Sequence, residues 1–108
     1  MNQQQSYLAL DWVKEALDET LSSARTIVTQ AQVVQELSAL PALLHQVSGT
    51  LHMTQLAEPL VLAETLEQLA HAMVDGQIGL QVLPELTLGI DLLRDELTQM
   101  QRTKRGHS

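Results

Sequence analysis

His45 is the residue of this chain best suited to nucleophilic chemistry, and Gln46, Ser48, Gly49 and His52 surround it in the sequence. A free imidazole has a pKa near 6.5, so at neutral pH an exposed one is mostly unprotonated and can attack phosphorus. Phosphoryl transfer asks little covalent work of the protein. It needs in-line positioning and neutralisation of the charge on the equatorial oxygens. Ser48, three residues on, can donate a hydrogen bond to a phosphoryl group. His52 lies at nearly the same helical angle about 10 Å along the axis, where a docked partner would meet it. Gly49, one turn beyond His45, leaves its flank uncovered. A helix-interior glycine costs about 0.5–1 kcal/mol relative to alanine, which implies a close approach there. The plainer reading makes His45, Ser48 and His52 polar residues on a wet helix face.

Other chemistry fits less well. His45 with His52, and Glu67 with His71, contain metal-ligand types. Metal sites inside a bundle need inward carboxylates and a repeated Glu-x-x-His pattern, which is missing here, so no metal is expected. Glu58, Glu64 and Glu67 read as a solvated acidic face rather than an acid–base pair. There is no Walker-type glycine loop, so an ATP-binding catalytic domain is not expected in this chain. Gly76 and Gly79 fit turns.

The 108 residues carry a net charge of -7 and no cysteine. The six basic residues are Lys14, Arg25, Arg94, Arg102, Lys104 and Arg105, the last three close to the end. A nucleic-acid partner would want a basic stripe, so none is expected. Without cysteine there are no disulfides or thiolate zinc sites, which fits a reducing compartment. No apolar run approaches the roughly 20 residues needed to span a bilayer. Met1 to Gln5 does not resemble a signal peptide. The expected location is the cytoplasm, with no membrane partner.

Four amphipathic helices must position these residues. The chain is 44% hydrophobic with 2% aromatics and no Phe, so aliphatic side chains fill the core, as packed helices allow and strands disfavour. Ser6 is a candidate N-cap. Leu10, Val13, Leu17, Leu21, Ala24, Val28 and Ala31 recur at three-and-four spacing and predict a first helix over about 7–32. Trp12 falls off that stripe, at its edge. Asp18, Glu19 and Ser22 are expected in water. A second helix begins between Glu36 and Pro41, with Ser38 as a candidate cap, and runs to about Gln55. Leu37, Leu40, Leu44, Val47 and Leu51 share one narrow arc, and His45 sits roughly 130° from its centre. After a break at Leu56–Glu58, Pro59 starts a third helix. Leu62, Leu66, Leu69 and Met73 face inward with Ala63 and Ala70. Glu64, Gln68, His71 and Asp75 face outward. Asp75-Gly76 ends it, with Gly76 as the left-handed cap. Leu83, Leu86, Ile90, Leu93, Leu97 and Met100 predict a fourth helix over about 80–103, with Pro84 and Gly89 as weak points. The expected fold is all-α, an antiparallel four-helix bundle, in a single domain over 1–108 with frayed tails at 1–5 and 104–108.

His45-x-x-Ser48-Gly49 resembles the His-x-x-Lys-Gly core of histidine phosphotransfer (Hpt) domains. Tyr7-Leu8-Ala9-Leu10-Asp11-Trp12-Val13-Lys14 resembles the opening of such domains in CheA-like hybrid kinases of type IV pilus and twitching-motility chemosensory systems. So do His45-Gln46-Val47-Ser48-Gly49-Thr50-Leu51-His52-Met53 and the block from Leu62-Ala63-Glu64 through Glu67-Gln68-Leu69-Ala70 to Asp75-Gly76. The resemblance implies an Hpt module of a two-component phosphorelay, belonging to a protein-histidine kinase or a related stand-alone protein. His45 would carry the phosphoryl group. A CheY-like receiver domain and a kinase catalytic domain would be the partners, with Mg²⁺ on the receiver and no cofactor in this chain. Docking would use Gln46, Ser48, Gly49 and His52 around His45. The family usually has Lys where Ser48 stands, and its ammonium helps hold the phosphoryl group. Related pilus proteins lacking the histidine suggest the alternative: an adaptor that docks receivers or scaffolds without accepting phosphate.

Overall fold

The computed structural model describes residues 3–54 and 57–106, with side chains over 12–54 and 57–100. Four helices follow in order: α1 Gln3–Gln30, α2 Leu40–Thr54, α3 Ala57–Val74 and α4 Leu83–Gly106. A short 3-10 turn, Val34–Leu37, precedes α2, and another, Leu80–Val82, precedes α4. The helices pack as a bundle about 47 × 19 × 18 Å, each against two neighbours: α1 on α2 and α4, α3 on α2 and α4. Arg25 of α1 pairs with Asp91 of α4, and Asp18 with Arg94. The number falls along α1 as it rises along α4, so the two helices run antiparallel. Among the described residues no helix is long and apolar enough to cross a membrane.

The aliphatic stripes meet in one core. Leu17, Leu21, Ala24 and Val28 come from α1. Leu40, Leu44, Val47 and Leu51 come from α2, with Leu37 from the turn before it. Leu86, Ile90, Leu93 and Leu97 come from α4. On α2 and its approach, all five arc residues are fully buried. Val13, Ala31 and Met100 lie at the margin, partly buried. The burial expected of Leu10 and the setting of the Arg102, Lys104 and Arg105 side chains lie outside the described residues.

On α3 the buried set is Pro59, Ala63, Leu66, Ala70 and Met73, while Leu62 and Leu69 are only partly buried. The inner face therefore includes the small residues Ala63 and Ala70 beside Leu66 and Met73, and is rotated from the leucine stripe that the sequence suggests. Small residues let neighbouring helices come close. Gly89 of α4 serves the same end: a Cβ there would lie 2.4 Å from Cδ2 of Leu66. Its lack of a side chain leaves room there for the Leu66 side chain.

Helix ends follow local chemistry. α1 begins at Gln3, which puts Ser6 inside the helix rather than at its cap. Glutamine is a fair helix former, and Gln3 to Gln5 simply extend the first turn. Glu36 accepts from the backbone N–H groups of Gln32 and Val33 at 2.6 and 3.4 Å, and the chain turns there after α1 stops at Gln30. Ser38 caps the end of the 3-10 turn, not the start of α2. Pro41, Pro59 and Pro84 all fall within the first three residues of a helix. A missing N–H costs nothing there, so Pro84 helps start α4 instead of bending it. Gly76 has φ +80°. The N–H groups of Gly76 and Gln77 reach the carbonyls of Met73 and Ala72 at 3.1 and 2.8 Å, the paired bonds of a Schellman cap. α4 remains helical through residues 104–106, where a frayed tail is expected. Trp12 does not pack at the stripe's edge: it is 76% exposed, because its position on α1 turns away from the core. Asp18 is half-buried between Lys14 and Arg94 rather than in open water.

Candidate functional site

α2 buries its leucines, and this rotation fixes what its other face offers. His45, Gln46, Gly49 and His52 are all exposed. A Cβ at Gly49 would meet nothing within 4 Å, so no group of the bundle needs that glycine. The flank beside His45 is open to a visitor.

Ser48 lies about 60° from the centre of the buried arc, on the flank that meets α3. It is 7% exposed, the one polar residue in the buried set among the described residues. It is not a helix-surface serine. Its hydroxyl is 2.9 Å from Oε1 of Glu67 and 3.0 Å from the carbonyl oxygen of His45. One proton serves both acceptors, and the carboxylate is the stronger of the two.

Glu67 is the residue that reading the sequence misplaces. It does not belong to a solvated acidic face with Glu58 and Glu64, which are exposed. Its side chain is 18% exposed, in the groove between α2 and α3. Oε1 takes the Ser48 hydroxyl. Oε2 lies 2.8 Å from Nδ1 of His45, whose side chain is 76% exposed. Nε2 of His71, one turn further along α3, is 3.8 Å from the same Oε2. The available signal was angular: Glu67 sits about 80° from the centre of the buried set of α3, as a groove residue should.

These contacts fix the chemistry of the ring. An ionised carboxylate only accepts hydrogen bonds, so Nδ1 of His45 carries the proton toward Glu67. In the neutral ring Nε2 then holds the lone pair. Among the described residues no side chain engages Nε2. The site thus joins an exposed nucleophilic nitrogen to a backing carboxylate that fixes the tautomer and can offset positive charge on the ring. His52, seven residues on, makes no hydrogen bond or ion pair with this cluster, and neither does the Gln46 side chain. No group of three or more His, Cys, Asp or Glu side chains among the described residues could hold a metal ion.

A second carboxylate contact lies away from this site. Burial, and then the Glu58 carboxylate of α3, raise the pKa of Glu96 on α4 above its ordinary value. A shallow depression runs along the outer face of α1, past Trp12, Glu15 and Glu19.

Compared with known protein families, with curated proteins and with solved structures, the chain matches none of them.

Proposed function

We propose that this chain is a histidine phosphotransfer module, in which His45 takes a phosphoryl group from a CheY-like receiver aspartate and returns it. The observation that carries the reading is the His45–Glu67 contact: Nδ1–H is held by a half-buried carboxylate while the ring stays exposed. The resemblance of the segments around Trp12, His45 and Glu67 to Hpt domains of pilus-controlling kinases points the same way.

In the proposed step, the Nε2 lone pair attacks phosphorus in line. The bond from phosphorus to the aspartyl oxygen breaks, and its electron pair stays on the aspartate. The ring gains positive charge with its Nδ1–H retained, and Glu67 stabilises that charge at 2.8 Å. Mg²⁺ on the receiver would neutralise the phosphoryl oxygens. The same nitrogen could be loaded by a kinase catalytic domain, and such a relay would operate in the cytoplasm. Gln46, Gly49 and His52 would meet the partner around the ring, with Gly49 allowing close backbone approach.

One observation favours an adaptor reading beside this one. Position 48 holds a serine, and its hydroxyl faces inward to Glu67 instead of supplying an ammonium to a phosphoryl group. Such a module would dock receivers without taking phosphate. Incubation with phosphorylated receivers and Mg²⁺ separates the two. The transfer reading expects an acid-labile label on the native protein and none on His45→Gln. Native protein left unlabelled by receivers that load a known Hpt control leaves the adaptor reading standing. A label on His45→Gln removes the assignment to His45.

A further inference from the structure

We infer that Ser48 is a positioning residue: it sets the tautomer of His45 by pinning the Glu67 carboxylate, and it does not bind the phosphoryl group itself. The consequence for transfer rests on the function proposed above. The effect on the ring does not.

A carboxylate held at one oxygen can swing about its side-chain torsions. Glu67 is held at both, and both holders come from α2, three residues apart. Ser48 binds Oε1 at 2.9 Å and His45 binds Oε2 at 2.8 Å. This two-point grip fixes the plane of the carboxylate. A competitor is within reach, since Nε2 of His71 lies 3.8 Å from Oε2. A small swing of Glu67 would bring that oxygen to His71 and release His45 Nδ1. The Ser48 hydroxyl opposes the swing. It is 7% exposed, so water does not readily replace it. It also cannot serve a phosphoryl group on Nε2, because its single proton is already committed within the groove. The usual lysine of the family acts by charge. Here a buried hydroxyl acts from behind the ring.

The test reads the imidazole nitrogens of His45 by ¹⁵N NMR across a pH series, together with the rate of phosphoryl uptake from a phosphorylated receiver. The native protein should show the Nδ1–H form. Ser48→Ala should give a mixture of tautomers and slow uptake by about tenfold, the size of one lost hydrogen bond to a charged group. Ser48→Thr, which keeps the hydroxyl, should restore the native pattern. Adding His71→Ala to Ser48→Ala removes the competing ring and should also return the nitrogens toward the Nδ1–H form. An unchanged tautomer in Ser48→Ala overturns the inference, and so does a loss of uptake without any tautomer change. If the tautomer shifts as described but the native protein takes up no phosphoryl group, the positioning role stands and the transfer function falls.

Discussion

Nδ1 of His45 and Oε2 of Glu67 lie 2.8 Å apart, although 22 residues separate them in the chain. One helix supplies the ring and the next supplies the carboxylate. The groove between α2 and α3 therefore decides which ring nitrogen faces solvent with a lone pair. A histidine alone on a wet face would sample both tautomers; this one is directed to one.

Glu67→Gln tests the charge on that carboxylate. Glutamine can still accept from Nδ1–H through its amide oxygen, but it cannot offset the positive charge that develops on the ring. Phosphoryl uptake should fall by roughly tenfold or more. The folded state should change by less than about 1 kcal/mol, because the site is at the groove rim and not in the core. Stopped-flow or quench-flow labelling gives the rate, and urea unfolding gives the stability.

Gly89→Ala tests the close approach of α3 and α4. Two effects oppose each other. Alanine favours the helix by about 0.8–1 kcal/mol over glycine. Its Cβ would lie 2.4 Å from Cδ2 of Leu66, which is 3% exposed and closely surrounded. Overpacking of this kind costs about 1–3 kcal/mol. The clash should win, with a net loss of roughly 1 kcal/mol and a lower urea midpoint. A rise in the midpoint would mean that Leu66 moves aside freely.

The Glu96 carboxyl predicts an acid-side effect. Burial, with Glu58 beside it, raises its pKa above 4.5 in the folded protein. The folded state thus binds this proton more tightly than the unfolded state does. Its contribution to stability is most favourable below about 4.5 and falls as pH rises through the raised value. Glu96→Gln should remove this slope. It should also raise stability at pH 7 by no more than an exposed charge pair, roughly 0.2–1 kcal/mol. Urea midpoints measured from pH 4 to pH 7 on both proteins check it.

Much of the fold can be read from the spacing of leucines. The arc from Leu37 to Leu51 places His45 on the outer face of α2, and that is where it lies. The middles of the α1 and α4 stripes, Leu17 to Val28 and Leu86 to Leu97, are likewise buried. α3 is harder, because Leu62 and Leu69 compete with Ala63 and Ala70 for the inner face. Weighting the leucines centres that face about 50° from the buried centre defined by Ala63, Leu66, Ala70 and Met73. This rotation moves Glu67 from groove to water on paper, and with it the partner of His45 is lost. Nor does a single helix pattern hold the register between α2 and α3. The Ser48–Glu67–His45 linkage depends on both the rotation and the register, and becomes visible only when the helices are packed. Pro84 and Gly89 look like defects in α4 when it is read alone. Against its neighbours they are a helix start and a point of close contact.

The proposed transfer requires that Nε2 of His45, and no other nitrogen, receive the phosphoryl group. The most direct measurement is ¹⁵N–³¹P correlation NMR on ¹⁵N-labelled protein after loading from a phosphorylated receiver. One phosphorus coupled to Nε2 of His45 is expected, with Nδ1 still protonated against Glu67. Coupling to Nδ1 of His45, or to a nitrogen of His52 or His71, would contradict it.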